Sequence, residues 1–195
     1  ALKQIQALDD YVRLLSEEDD ELLALTKDLL ISVTSFFRDA DAWDELASKV
    51  LPDLLSRHAQ DEPLRAWVPG CATGEEAYTL AMLLIEALEA AGRRDQILVF
   101  ATDVDRDALE AARDACYPES LVADVDPARL ERFFNREGGR YRVKKFVRER
   151  VIVAPQDLLA DPPFSNIDLI SCRNLLIYVD GDYQQRLIRA FHFAL

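Results

Sequence analysis

Apolar residues recur at threes and fours from the start of the chain. Leu2, Ile5, Leu8, Val12 and Leu15 form one stripe of an amphipathic helix over residues 1–15. Ser16, with Asp19 three positions on, predicts the cap of a second helix with Leu22, Leu23, Leu25, Leu29 and Leu30 on its apolar face. Residues 32–39 follow neither the helical nor the strand period. Asp41 is placed to cap a third helix carrying Trp43, Leu46, Val50 and Leu51, which Pro52 breaks or restarts. The texture changes at Pro63. Residues 64–70 read as a short strand running into a turn. Residues 74–91 are helical and apolar almost all round, closing at Gly92. Residues 97–103 are a continuous apolar run, as expected of a buried parallel strand. A helix follows with Ala108, Leu109, Ala112 and Ala115 on one side. Residues 117–150 interrupt the rhythm: Asp126-Pro127 opens a short helix ending near Phe134, Gly138-Gly139 marks a turn, and residues 141–147 are basic and β-like. The sheet resumes at 151–154 and 167–171, and a last helix runs from about 182 to 195. Strands alternating with helices imply an α/β domain built on a parallel sheet, with a small insertion.

Composition narrows the function. The 195 residues are 50% hydrophobic and 30% charged, with only 6 Gly and 8 Pro, which is a globular composition. A net charge of −13 argues against a general nucleic-acid or anionic-membrane binder. Cys71, Cys116 and Cys172 form no CxxC pair, and His58 and His192 fit no zinc spacing, so neither a disulfide framework nor a metallohydrolase is expected. No membrane insertion is expected, since no run of 18 apolar residues occurs, and the reducing, cytoplasmic compartment suits the cysteines.

In an open parallel sheet, ligands bind beyond the carboxyl ends of the strands. Four polar or glycine-containing segments should line that edge: 70–76, 103–105, 156–158 and 171–174. The first is a glycine turn opening a helix, but it is not GxGxxG. Glu75 and Glu76 in the first helical turn would repel a pyrophosphate and suit a ligand bearing positive charge; they are equally readable as complements of the helix dipole. Asp103 can accept both hydroxyls of a ribose, or cap the next helix, a role open to Asp105 as well. Asp157 and Leu158 offer a polar edge and an apolar face for an adenine. Cys172, Arg173 and Asn174 are a polar triplet within an apolar segment.

These segments together resemble the CheR family, the chemotaxis-receptor glutamate methyltransferases that use S-adenosylmethionine. The matching stretches are residues 34–39 (TSFFRD), 70–78 (GCATGEEAY), 101–105 (ATDVD) and 168–178 (DLISCRNLLIY), in family order and spacing. The wording is closest to the methyltransferase region of proteins that fuse a CheB-like esterase to a CheR-like domain. The resemblance implies a small helical N-terminal domain and linker over residues 1–38. It implies a Rossmann-like class I methyltransferase domain over 39–195, with an inserted β-subdomain at 117–150. Carried over by position, it implies that Thr34 and Arg38 reach the cofactor from the linker. Glu76 would meet its methionine end, Asp103 its ribose, and Asp157 and Leu158 its adenine end. Cys172, Arg173 and Asn174 would line the methyl-transfer side, and Arg38 and Tyr178 would stand nearest the reacting groups. Ser32 stands where the family often has Asn. The basic stretch before residue 1 and the strands after residue 195 found in the family are missing from this sequence.

The function implied is methyl transfer to glutamate carboxylates of a chemoreceptor-like protein, leaving S-adenosylhomocysteine. The partner would be an acidic helical cytoplasmic region, with a CheB-like esterase domain in the same full-length chain. The short turn at 135–140 implies no grip on a receptor tail peptide. Arg140, Arg142, Lys144, Lys145, Arg148 and Arg150 are then the available offset to like-charge repulsion with an acidic acceptor. The rival is a regulatory module that binds S-adenosylmethionine or its product without transfer. A nicotinamide oxidoreductase is disfavoured by the missing GxGxxG turn.

Overall fold

The computed structural model describes residues 8–18, 21, 25 and 34–195. The chain divides into two units, Ala1–Val33 and Thr34–Leu195. In the first, helix α1 spans Leu8–Glu17. Ser16 does not cap a new helix. It lies in the last turn of α1, and its hydroxyl donates to the Val12 carbonyl. Val12, expected on the apolar stripe, is 53% exposed. Asp19 and the leucines at 22, 23, 29 and 30 lie outside the described residues, as does Ser32.

The second unit opens with α2 (Ala40–Glu45), which passes through a π-helical turn (Leu46–Val50) into α3 (Leu51–Arg57). The widened turn precedes Pro52, which sits in the first turn of α3, where its missing N–H costs least. The N-cap position of α2 is Asp39 rather than Asp41. Four parallel strands follow: β1 (Leu64–Pro69), β2 (Ile97–Asp103), β6 (Val151–Pro155) and β7 (Leu169–Ile170), in the order β6-β2-β1-β7. All their pairings are parallel. Helix α4 (Glu75–Ala90) connects β1 to β2, and α5 (Arg106–Asp114) follows β2. The all-round apolarity of α4 is explained by burial: eleven of its residues, from Glu75 to Leu88, are shielded. β7 is shorter than the sequence suggests, although Ser171 still donates to the Trp67 carbonyl.

The interruption is a second, antiparallel sheet in the order β3-β5-β4, with β3 at Cys116–Pro118, β4 at Phe134–Glu137 and β5 at Arg140–Val143. Two short helices, α6 (Glu119–Val122) and α7 (Pro127–Phe133), separate β3 from β4. Asp126 caps α7 with Pro127 in its first turn, as its sequence implies. Gly138 and Gly139, at φ 56° and 82°, close the hairpin in the left-handed conformation that a two-residue turn requires. The basic segment is not all strand: after Val143 it coils into α8 (Lys145–Arg148), because Val143 and Val147, four apart, are both buried. The final helix, α9, spans Gly181–Ala194. No helix among the described residues is long and apolar enough to cross a membrane.

One core joins the two sheets. Phe36, fully buried, meets Tyr117 and Phe134 edge-on, with ring centroids 4.9 and 5.2 Å away. At the amino ends of the strands, His58 is buried between Arg93 and Asp168: its Nδ1 lies 3.3 Å from the Arg93 guanidinium and its Nε2 3.5 Å from the carboxylate.

Candidate functional site

The turn after β1 is shaped by three left-handed residues, Gly70 (φ 67°), Ala72 (φ 46°) and Gly74 (φ 96°). A Cβ on Gly74 would lie 3.0 Å from the Ala112 Cβ and 3.1 Å from the Tyr117 hydroxyl; one on Gly70 would lie 3.0 Å from Leu175. Both glycines therefore permit close packing as well as the backbone conformation. Tyr117 also donates to the Thr73 carbonyl at 2.8 Å, so the inserted sheet braces the turn. Cys71 N–H donates to Thr102 O, and Ala72 N–H donates to Asp103 Oδ2 at 2.8 Å.

Asp103 is thus partly engaged by its own backbone: Oδ1 accepts from Asp105 N–H at 2.9 Å. Each carboxylate oxygen retains a second lone-pair site, so the carboxylate can still accept a pair of hydroxyls. Asp105, not Asp103, caps α5, accepting from Asp107 and Ala108. Next along the edge, Gln156 N–H donates to Asp103 O. Asp157 is exposed and turns back on its own loop, accepting from Leu159 N–H at 2.8 Å. Leu158 packs against the cluster of Trp67, Ile167 and Ala194.

The two glutamates of α4 differ. Glu75 is fully buried and accepts from the Thr73 hydroxyl with both oxygens, at 2.9 and 2.7 Å. Burial pushes its pKa up, and it belongs to the turn's own structure. Glu76 is half-buried and accepts from the Ser171 hydroxyl at 2.6 Å. Burial pushes its pKa up to about 7, against the hydrogen bond from Ser171 and the charges of Arg173 and Arg38. Those three residues come from the end of β7 and from the linker, so the fold gathers Glu76, Ser171, Arg173 and Arg38 around one carboxylate.

Cys172 lies beside them. Burial, then the Glu76 charge, pushes its thiol up to about 12. Burial, then Asp103, raises the Cys71 thiol still further. Both shifts favour the neutral thiol, and Cys71 is a buried member of the core. Arg173 donates to Arg38 O at 2.7 Å and to Asp39 Oδ2 at 2.6 Å. Asn174 is left-handed, at φ 57°, and exposed. Tyr178 stands 61% exposed in a 3-10 turn, Leu176–Tyr178, whose Leu176 carbonyl accepts from Gln184. Thr34 is half-buried and Arg38 exposed at the start of the unit. Asp39, Thr73 and Tyr117 are supporting residues that local patterns did not single out, since each acts through a partner remote in sequence.

Most of the basic residues of the insertion are paired locally. Arg142 binds both Asp114 and Glu137, each at 2.8 Å. Lys145 faces Glu149, Lys144 donates to the Glu131 carbonyl, and Arg140 donates to the Cys116 carbonyl. They are locally paired charges on the small sheet and on α8 more than an open cationic patch.

The chemistry of this edge fits a nucleoside carrying a cation. A carboxylate beyond β2 suits a ribose, while a second carboxylate, rather than a phosphate-binding arrangement, guards the helix N-terminus. Residues 32–195 match the family model described as "CheR methyltransferase, SAM binding domain". An "uncharacterized 104.1 kDa protein in hypE 3'region" of Rhodobacter capsulatus is 44% identical over the whole chain, which covers 20% of that protein. A chemotaxis protein methyltransferase of Borreliella burgdorferi is 29% identical over the whole chain, which covers 71% of it. The Escherichia coli chemotaxis protein methyltransferase is 34% identical over 93% of the chain, which covers 63% of it. The parallel sheet, the carboxylate-lined edge and the matched span lead to one conclusion: the chain belongs to the CheR methyltransferase family and carries its domain for binding S-adenosylmethionine.

Proposed function

We propose that this chain transfers a methyl group from S-adenosylmethionine to glutamate side chains of a chemoreceptor-like protein, in the cytoplasm, giving glutamate methyl esters. The observation that carries the reading is the convergence of Glu76, Ser171, Arg38 and Arg173 at the mouth of the glycine turn, in a chain similar to chemotaxis methyltransferases over nearly its whole length. Asp103 would hold the ribose, Asp157 and Leu158 the adenine end, and Glu76 the ammonium of the methionine end. Thr34 and Arg38 would close over it from the linker, with Cys172, Arg173 and Asn174 on the transfer side.

S-adenosylmethionine supplies, when bound, a methyl group on a sulfonium centre. Transfer to a carboxylate forms one O–CH3 bond and breaks one S–CH3 bond. No proton needs to move, because a glutamate is already ionised at pH 7. The chain's task is therefore to position and desolvate rather than to act as a base, and positioning alone is worth several kcal/mol. Arg38 and Tyr178, both exposed, would orient the incoming carboxylate. The partner would be an acidic helical segment, and a CheB-like esterase domain in the same longer protein would reverse the modification.

Incubation with methyl-labelled S-adenosylmethionine and an acidic receptor helix tests this. The expected result is label on the acceptor that alkali releases as methanol, the signature of an ester. A chain that binds S-adenosylhomocysteine but never labels an acceptor would instead be a cofactor-sensing module.

A further inference from the structure

Arg173 belongs to the polar triplet after β7, and its guanidinium, whose charge acts on Glu76, is tied by hydrogen bonds to the segment that enters this unit. One nitrogen donates to Arg38 O at 2.7 Å and another to Asp39 Oδ2 at 2.6 Å, while its Cζ lies 4.9 Å from the Trp43 ring centroid. All three partners lie in the segment that enters this unit, more than a hundred residues earlier in sequence.

That segment is held in an uncommon conformation. Phe37 and Asp39 both have positive φ, 52° and 57°. Non-glycine residues persist there when their surroundings over-determine them. The Phe36 ring is buried against Tyr117 and Phe134, and Phe37 N–H donates to the Thr79 hydroxyl at 3.2 Å. These fix the first half of the turn. Arg173 fixes the second half, the half that carries Arg38. The pair is not a strong stability device, because the Asp39 side chain is 63% exposed.

We propose that Arg173 is a positioning residue: its planar guanidinium locks the Arg38–Asp39 turn and Trp43 to the end of β7, and so sets where Arg38 stands beside Glu76. The inference rests on the reading that this edge holds S-adenosylmethionine. It requires a fork, which a lysine cannot supply. The groups facing Glu76 are Ser171, Cys172 and Arg173 from the end of β7, Arg38 from the linker and Cys71 from the glycine turn.

Calorimetric binding of S-adenosylhomocysteine between pH 6 and 8 tests this on the wild type, Asp39→Ala, Arg173→Ala, their double variant and Arg173→Lys. Each alanine variant should weaken binding about tenfold, and the double variant should be no worse than Arg173→Ala to within about twofold, because both remove one lock. Melting temperatures of the single variants should stay close to wild type. Arg173→Lys should return the pH profile of binding towards that of the wild type, since a charge again acts on Glu76, while leaving the affinity weak. Additive losses in the double variant, or an inert Asp39→Ala beside a crippled Arg173→Ala, would show that Arg173 touches the ligand itself and overturn the lock. Full recovery of affinity by lysine would overturn it too. A wild-type chain that fails to bind would remove the site reading and the lock together.

Discussion

Two adjacent glutamates show how burial divides roles that the sequence leaves equal. Glu75 is enclosed with Thr73, whereas Glu76 is half-buried and held by Ser171. Glu76 has its folded pKa raised from 4.5 to about 7, so the folded chain binds more protons than the unfolded one across that window. Its contribution to stability is fully present below about pH 4.5 and is lost as the pH rises through about 7. Glu76→Gln should therefore stabilise the unliganded chain at pH 8 by roughly 1–3 kcal/mol and flatten that part of its pH–stability curve. The same change should weaken S-adenosylhomocysteine binding; thermal melts and calorimetry on one variant check both signs. An unliganded chain no more stable with glutamine than with glutamate at pH 8 would refute the assignment. Asp103 braces Ala72 and, in the proposed site, would also offer acceptors to a ribose. Asp103→Ala should weaken S-adenosylhomocysteine binding by roughly 1–3 kcal/mol and lower the melting temperature as well. Unchanged affinity would remove the ribose role.

At the scale of elements, the inserted sheet is a brace for the glycine turn. Tyr117 reaches Thr73 from β3, and Gly74 leaves room for that hydroxyl. Gly74→Ala meets both a positive φ of 96° and contacts at 3.0–3.1 Å, so a cost of roughly 1–3 kcal/mol is expected in denaturant unfolding. Tyr117→Phe removes a hydrogen bond but keeps the ring, and about 1 kcal/mol is expected. If Gly74→Ala is as stable as wild type, the turn is not held as described. Phe36→Ala should cost more, roughly 3–5 kcal/mol, since it empties the aromatic junction between the linker and the insertion. The elements themselves were readable to different degrees. β1, β2 and α4 stand out in the sequence because most of their residues are buried, which leaves predominantly apolar runs. α8 did not, because Val143 and Val147 lie four apart within a stretch too short to distinguish strand from helix. β3 was hidden because Ala115 ends α5 in a left-handed turn that no glycine announces.

For the molecule as a whole, a net charge of −13 has to coexist, under the proposed function, with a site that would take a cationic cofactor and an anionic acceptor. Placement would resolve this: Glu76 and Asp103 would face the cofactor, and Arg38, whose charge acts on Glu76, would meet the acceptor. Much of the site's composition was legible, since the four strand ends carry its residues in order. Its wiring was not. Ser171 meets Glu76 across 95 residues and Arg173 meets Asp39 across 134, and nothing local to either residue indicates such a partner. The insertion's basic residues likewise suggest a docking face until the fold pairs Arg142 with Asp114 and Glu137. The most direct test of the whole is calorimetric titration of the chain with S-adenosylhomocysteine at pH 6, 7 and 8, with NAD as the control. Binding that tightens as Glu76 ionises through about pH 7, and no binding of NAD, is the expected result. An affinity for NAD, or none for S-adenosylhomocysteine at any of the three pH values, would contradict it.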